Sequence, residues 1–205
     1  MDPTVVRNLR PLALLEHARA TSREDFAREV AMPLLLVRVD DASGELAQSL
    51  EVGSSAAGTR LEPGMAFHTA TSDRPARPPS IRPPASFGPE QLLVRLIRAP
   101  YFAVVLGKRA EAGKAFTERV SVGRARNNDV VLRHESVSKF HAWFARDEGG
   151  AYYVADASSH NGTSINAITL PGGEPQRVGS GDVLRFGSVE ALFCDAVTLH
   201  AALRP

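Results

Sequence analysis

The residue types able to do chemistry gather in three stretches of this 205-residue chain: Gly123-Arg124, Ser138-Lys139 with His141 close behind, and Ser159-His160-Asn161-Gly162-Thr163. An arginine presents a planar fork of donors suited to phosphate or carboxylate. A serine adds a short directional hydroxyl, and a lysine adds a mobile positive charge. Gly123 permits a tight turn where the strand-like RVSVG ends. Backbone N–H groups in such loops supply further donors. Arg124, Ser138 and Lys139 within reach of one another would hold an anion by geometry, with no metal. Asn161-Gly162 is a turn signal, and its amide can bond backbone groups through both ends. Facing the Arg124 loop, it would clamp the main chain of an extended peptide. His141 reads as a structural hydrogen bond holding the Ser138 loop, the alternative being a general base or metal ligand.

Signs of catalysis are missing from the sequence. There are no paired carboxylates at suggestive spacing, no HExxH, GxSxG or GxxxxGK[ST], and no kinase signature. Cys194 is the lone cysteine, which excludes a disulfide framework and a thiolate-rich zinc site. It lies in an apolar stretch beside Asp195, which disfavours a thiolate. His17, His68 and His200 are scattered and read as surface or partly packed residues. No enzyme, cofactor or metal is expected.

The elements that must position these residues follow from composition and pattern. Apolar content is 43% and charged content 23%, as in a soluble globular chain. A net charge of +1 and few aromatics argue against a nucleic-acid partner. No stretch approaches the apolar length of about 18 residues needed to span a membrane. No signal peptide is evident, so a cytoplasmic location is expected. High Ala, Arg and Pro usage suggests a GC-rich bacterial genome.

Residues 1–70 read as a small N-terminal segment with two short helices over 8–31 and a strand over 34–39, LLLVRV. Ser22-Arg23-Glu24-Asp25 resembles a capping box, and Pro33 stops the second helix. Residues 71–90 read as a Pro/Arg-rich linker, with six prolines and three arginines in TSDRPARPPSIRPPASFGP. Residues 91–205 change character. LLVRLI, YFAVVLG, RVSVG, DVVL, FHAWFA, AYYVAD, SIN, DVLRFG and VEALFC are short β-like runs broken by Gly, Asn, Asp or Pro, the pattern of an all-β sandwich or barrel. Alternation puts Phe140, Ala142 and Phe144 on one face and His141 and Trp143 on the other. ITLPGGEPQRVGSGD reads as a loose hairpin, and DAVTLHAALR as a short helix closing the bottom of the sandwich.

The order of these motifs closely resembles the forkhead-associated (FHA) domain family. The matching residues are Gly123-Arg124, Asn128-Asp129, Val137-Ser138-Lys139, His141, Asp156, Ser159, Asn161-Gly162-Thr163 and Ile165-Asn166, and the resemblance covers about residues 95–200. It implies an eleven-stranded β-sandwich of two sheets whose loops bind phosphothreonine in an extended peptide. By that resemblance Arg124 and Ser138 would contact the phosphate, and Lys139 would add a phosphate or backbone contact. Asn161 would bond the peptide main chain, and His160 would touch the ligand. Gly123, His141, Gly162 and Thr163 would shape and brace the loops. Arg133 and His134 would favour an acidic residue three places after the phosphothreonine. The family commonly has Gly after the final Asn, where this chain has Ala167, a change that bears on a hairpin turn.

The expectation is a phosphothreonine-dependent protein–protein interaction module whose partner is a phosphothreonine-containing protein or peptide and, indirectly, a Ser/Thr protein kinase. The alternative is a scaffold of the same fold that binds partners independently of phosphate. Thr69 and Thr71, at the start of the linker, are candidate modification sites that the domain would bind in cis or in another copy.

Overall fold

The computed structural model describes residues 11–30, 32–38, 89–98, 101–108 and 119–204. Leu34–Arg38 (β1) shows why a run of consecutive apolar residues makes a strand here. Leu35 and Val37 face the space between two sheets, while Leu34 and Leu36 face the helices outside. A strand covered on both faces needs apolar residues at every position rather than alternation. β1 lies between Tyr101–Val105 (β2) and Val189–Cys194 (β11), antiparallel to both, with Leu35 opposite Val104 and Phe193. The strand of the N-terminal segment is therefore an interior strand of the six-stranded sheet.

The remaining strands are Arg119–Gly123 (β3), Val130–Val131 (β4), Ala142–Arg146 (β5), Tyr152–Asp156 (β6), Thr163–Ile165 (β7), Ile168–Thr169 (β8), Gln176–Val178 (β9) and Val183–Phe186 (β10). They form a six-stranded sheet, β2-β1-β11-β10-β7-β8, and a five-stranded sheet, β4-β3-β5-β6-β9. Phe144, Phe186 and Phe193 interlock between the sheets, with Phe144 and Phe193 stacked at 6.2 Å. The architecture is an all-β sandwich of two sheets.

A helical layer covers the outer face of the six-stranded sheet. It comprises Pro11–Ala20 (α1), Arg23–Glu29 (α2), Pro89–Arg98 (α3) and Ala196–Leu203 (α4). Phe26, Leu92 and Leu199, all fully buried, pack over Leu34, Leu36 and Cys194. Burial, with Asp195 alongside, pushes the Cys194 thiol far up. Ser22 caps α2, its Oγ accepting the Asp25 N–H at 3.1 Å. Asp195 caps α4, its carboxylate accepting the Thr198 N–H at 2.8 Å.

Several expectations are corrected. LLVRLI is helical, not β. Leu92 is buried and Leu96 half-buried one turn later, while Val94 between them is 47% exposed. Pro89 at the first helical position and Arg95 and Arg98 in the last turn suit a helix, which a short apolar run alone does not distinguish from a strand. α4 lies flat on the outer face instead of closing the sandwich, because Leu199 and Leu203 belong to the helical core. His200 is buried there, its Nε2 3.2 Å from the Thr21 carbonyl and its ring against Phe26. ITLPGGEPQRVGSGD crosses between sheets: β8 pairs with β7, and β9 pairs with β6. Phe140 does not share the core face of Ala142 and Phe144; it precedes β5 and is 37% exposed. Residues 39–88 hold most of the expected linker, with His68, Thr69 and Thr71, and lie outside the described residues.

Candidate functional site

β3 ends at Gly123, and the chain turns there beneath the loop that precedes β5. The Arg124 N–H donates to the Ser138 carbonyl at 3.0 Å, and the Ala125 N–H to the Lys139 carbonyl at 3.3 Å. A Cβ on Gly123 would lie 2.3 Å from the Lys139 carbonyl oxygen, so only glycine allows this approach. Asn128 is buried and staples the two loops, its Nδ2 donating to the carbonyls of Lys139 at 2.7 Å and Ala125 at 2.8 Å. Asp129, also buried, accepts from the Ser121 N–H and hydroxyl, both at 2.8 Å, and from Lys108 Nζ at 3.1 Å.

His141 has no exposed surface. Its Nδ1 accepts the Ser138 N–H at 2.9 Å, which places the imidazole proton on Nε2, 3.1 Å from the Gly162 carbonyl that accepts it. One neutral ring thus joins the Ser138 loop to the Asn161-Gly162 turn. Burial holds its pKa below the usual histidine value. A buried, neutral ring with both nitrogens occupied has no free atom to act as a base or to ligate a metal.

The third loop is organised by Asp156. Its carboxylate accepts the Ser159 N–H at 2.8 Å and the hydroxyls of Ser159 and Thr163 at 2.6 Å each. Burial opposes ionisation of Asp156, but the hydrogen bonds from Ser159 and Thr163 outweigh it, and the carboxyl sits below its usual range. From this loop the His160 N–H donates to Ser138 Oγ at 3.0 Å, and Asn161 Nδ2 donates to the Ser136 carbonyl at 2.8 Å. Among the described residues no hydrogen bond uses the Ser138 hydroxyl proton or Asn161 Oδ1. Gly162 has φ +74°, and its carbonyl also accepts the Gly187 N–H at 3.0 Å.

Arg124, Ser138, Lys139, His160 and Asn161 are thus brought to one end of the sandwich on three loops, over a floor of Gly123, His141, Gly162 and Thr163. Arg133 and His134 precede Ser136 on the middle loop. Sequence reasoning missed Ser136, Gly187 and Ser188. Ser136 Oγ lies 2.8 Å from His134 Nδ1 and accepts the Ser188 N–H at 3.0 Å, which ties the middle loop to the β10–β11 turn. A Cβ on Gly187 would meet the Ser136 carbonyl oxygen at 2.5 Å. β1 runs antiparallel to β11 and ends near this turn at Arg38, 3.8 Å from Glu190.

Among the described residues no three His, Cys, Asp or Glu side chains are grouped as a metal site requires. No helix among them is long and apolar enough to cross a membrane. A cavity of about 240 Å³, lined by Leu106, Val120, Phe144 and Tyr152, lies at the end of the sandwich opposite these loops.

Residues 120–187, which hold all three loops, match the family model described as the FHA domain. The chain carries an FHA domain. Among curated proteins it is similar to human kanadaptin, 32% identical over 99 residues, 43% of this chain and 13% of that protein. It is also similar to the ABC transporter ATP-binding/permease protein Rv1747 of Mycobacterium tuberculosis, 29% identical over 126 residues, 59% of this chain and 14% of that protein. The chain therefore matches only about one seventh of the length of these relatives. Among solved structures, Mycobacterium tuberculosis EmbR in complex with a low affinity phosphopeptide is 28% identical, with 38% of this chain and 20% of that chain covered and a TM-score of 0.35. The FHA match stops short of β1 and β2, which complete the six-stranded sheet around β11.

Proposed function

We propose that this chain is a phosphothreonine-dependent protein–protein interaction module working downstream of a Ser/Thr protein kinase. Its FHA loops hold an extended phosphopeptide without transforming it. The observation that carries this reading is the convergence of Arg124, Ser138, Lys139 and Asn161 on loops locked by backbone hydrogen bonds, with both cations lacking any side-chain partner among the described residues. A phosphate entering there meets a guanidinium fork, an ammonium and the Ser138 hydroxyl. Asn161 Oδ1 then accepts a main-chain N–H of the peptide.

The test is binding of the full chain to a phosphothreonine peptide library beside unphosphorylated controls. Binding disappears without the phosphate, weakens when serine replaces threonine, and loses ~2–5 kcal/mol in Arg124→Ala. Binding indifferent to phosphate and to Arg124→Ala would instead identify a phosphate-independent scaffold. The full chain is required because β1 is an interior strand.

A further inference from the structure

Asn161 is exposed, and the amide of an exposed asparagine turns over a broad range of angles unless something holds it. Here its Nδ2 donates to the Ser136 carbonyl at 2.8 Å, so Oδ1 points where the Ser136 backbone directs it. What fixes Asn161 is therefore whatever fixes Ser136, 25 residues earlier in the chain.

His134, Ser188 and Gly187 all hold Ser136. His134 is itself fixed, its N–H donating to the Leu132 carbonyl and its carbonyl accepting the Val137 N–H, both at 3.0 Å. Its Nδ1 accepts the Ser136 N–H at 3.1 Å and lies 2.8 Å from Ser136 Oγ. An accepting Nδ1 leaves the ring proton on Nε2, so the Ser136 hydroxyl donates to Nδ1 as well. The lone pairs of Ser136 Oγ then serve Ser188, taking its N–H at 3.0 Å and its hydroxyl at 2.9 Å. Every donor in this relay points toward His134, so both hydroxyls have a set direction. Gly187, with φ +62°, lies against the same residue: a Cβ there would meet the Ser136 carbonyl oxygen at 2.5 Å and Oγ at 2.8 Å. The Gly187 N–H also donates to the carbonyl of Gly162, the residue after Asn161, at 3.0 Å. The Gly187-Ser188 turn thus touches both the acceptor of the Asn161 side chain and the peptide unit that follows Asn161.

Resting on the phosphothreonine reading above, we infer that the Gly187-Ser188 turn is a fourth element of the site, and that His134, Ser136 and Ser188 are positioning residues that aim Asn161 Oδ1 at the peptide main chain. The network acts on that main-chain contact and not on the phosphate contacts of Arg124 and Lys139. Its effect is preorganisation: the Asn161 rotamer is set before the peptide arrives, so binding does not bear that ordering cost.

Calorimetric titration of the full chain with one phosphothreonine peptide tests this as a double-mutant cycle. Ser136→Ala and His134→Leu each weaken binding about three- to tenfold, the size of one misplaced hydrogen bond. His134→Asn, whose Oδ1 replaces Nδ1 as the acceptor, stays within about twofold of the wild type. In an Asn161→Ala background Ser136→Ala adds a loss of less than about twofold, whereas in a Lys139→Gln background it keeps its full factor. The unliganded chain gives a second readout, the nuclear magnetic resonance signals of the Asn161 side-chain amide. They are dispersed and protected from exchange in the wild type and His134→Asn, and move to free-amide positions in Ser136→Ala and His134→Leu. Wild-type affinity in Ser136→Ala, equal losses in the two His134 variants, or an undiminished loss in the Asn161→Ala background overturns the inference. Free-amide signals in the wild type overturn it as well. A wild type whose Asn161 signals are held but which binds no phosphothreonine peptide overturns the phosphothreonine reading instead.

Discussion

At the loop end of the sandwich, Asn128, Asp129, His141 and Asp156 are buried polar side chains, and each bonds groups on neighbouring loops or strands. On the outer face of the six-stranded sheet, Phe26, Leu92 and Leu199 make a layer held by apolar burial. The two kinds of bond fail differently. Apolar burial is non-directional, so losing part of it costs stability while the shape of a distant loop survives. A hydrogen bond at the loop end sets a distance, so losing one moves a ligand-facing group even where the fold persists.

The largest expected effect comes from removing β1. A chain beginning at residue 89 lacks Leu34, Leu35, Leu36 and Val37, none more than 2% exposed. Burial of each such side chain is worth ~1.5–3 kcal/mol, so the loss approaches a whole domain's stability of about 5–15 kcal/mol. It also leaves the facing edges of β2 and β11 unpaired. Such a fragment should show no cooperative thermal unfolding by circular dichroism. A sharp transition matching the full chain would make β1 dispensable and the loop end self-sufficient.

A pair of substitutions separates the two regions next. Phe26→Ala empties a fully buried site and lowers stability by ~3–5 kcal/mol, with phosphopeptide affinity of the folded protein unchanged. Gly123→Ala forces a Cβ against the Lys139 carbonyl and lowers stability by ~1–3 kcal/mol. Its affinity falls at least about tenfold, because Arg124 and Ser138 are pushed apart. Denaturant unfolding and calorimetric titration read the two quantities, and equal affinity losses would erase the distinction.

This contrast also explains what was legible in the sequence. Arg124, Ser138 and Asn161 stand in short motifs at a recognisable spacing, so their grouping is legible in the sequence. The contact of Ser136 with Ser188 spans 52 residues and uses a common residue type, leaving no local signal. LLLVRV was readable as a strand, but its pairing of Leu34 with Cys194 is not a local property. The Pro/Arg-rich composition of residues 71–89 reads as a boundary between domains, but composition carries no sign that strands on either side of it pair in one sheet. Helix α3 reads as a strand in the sequence because the apolar residues of a short run fit both periods.

Acid should act on the loop end through His141. Its folded-state pKa lies below the unfolded value, since burial disfavours the imidazolium. Above an unfolded pKa of about 6.5 the ring is neutral in both states and its contribution is fully present. As pH falls below that point the unfolded chain binds a proton that the native ring resists, and stability declines toward the folded pKa. Asp156 and Asp195, with lowered pKa values, add a separate loss only as pH falls below the ordinary carboxylate range. Protonated His141 would also set an N–H against the Ser138 N–H that it now accepts. Stability measured across pH should therefore begin to fall below about 6.5 in the wild type and stay flatter in His141→Gln. Parallel profiles would mean that another group titrates.

The smallest effect lies just beyond the site. Asn166 and Ala167 turn the chain from β7 to β8 with φ of +48° and +69°. Asparagine tolerates the left-handed region, and Asn166 is held by bonds to Asp182 and the Val183 N–H. Alanine gains nothing there and carries the steric cost of its Cβ. Ala167→Gly should raise stability by roughly 0.5–1 kcal/mol, because relief of that strain outweighs the added freedom of the unfolded chain. Phosphopeptide affinity should not change, since the turn touches none of the three loops. A loss of affinity in this variant would mean that β7 and β8 transmit strain to Gly162, and that the loop end is less self-contained than its hydrogen bonds imply.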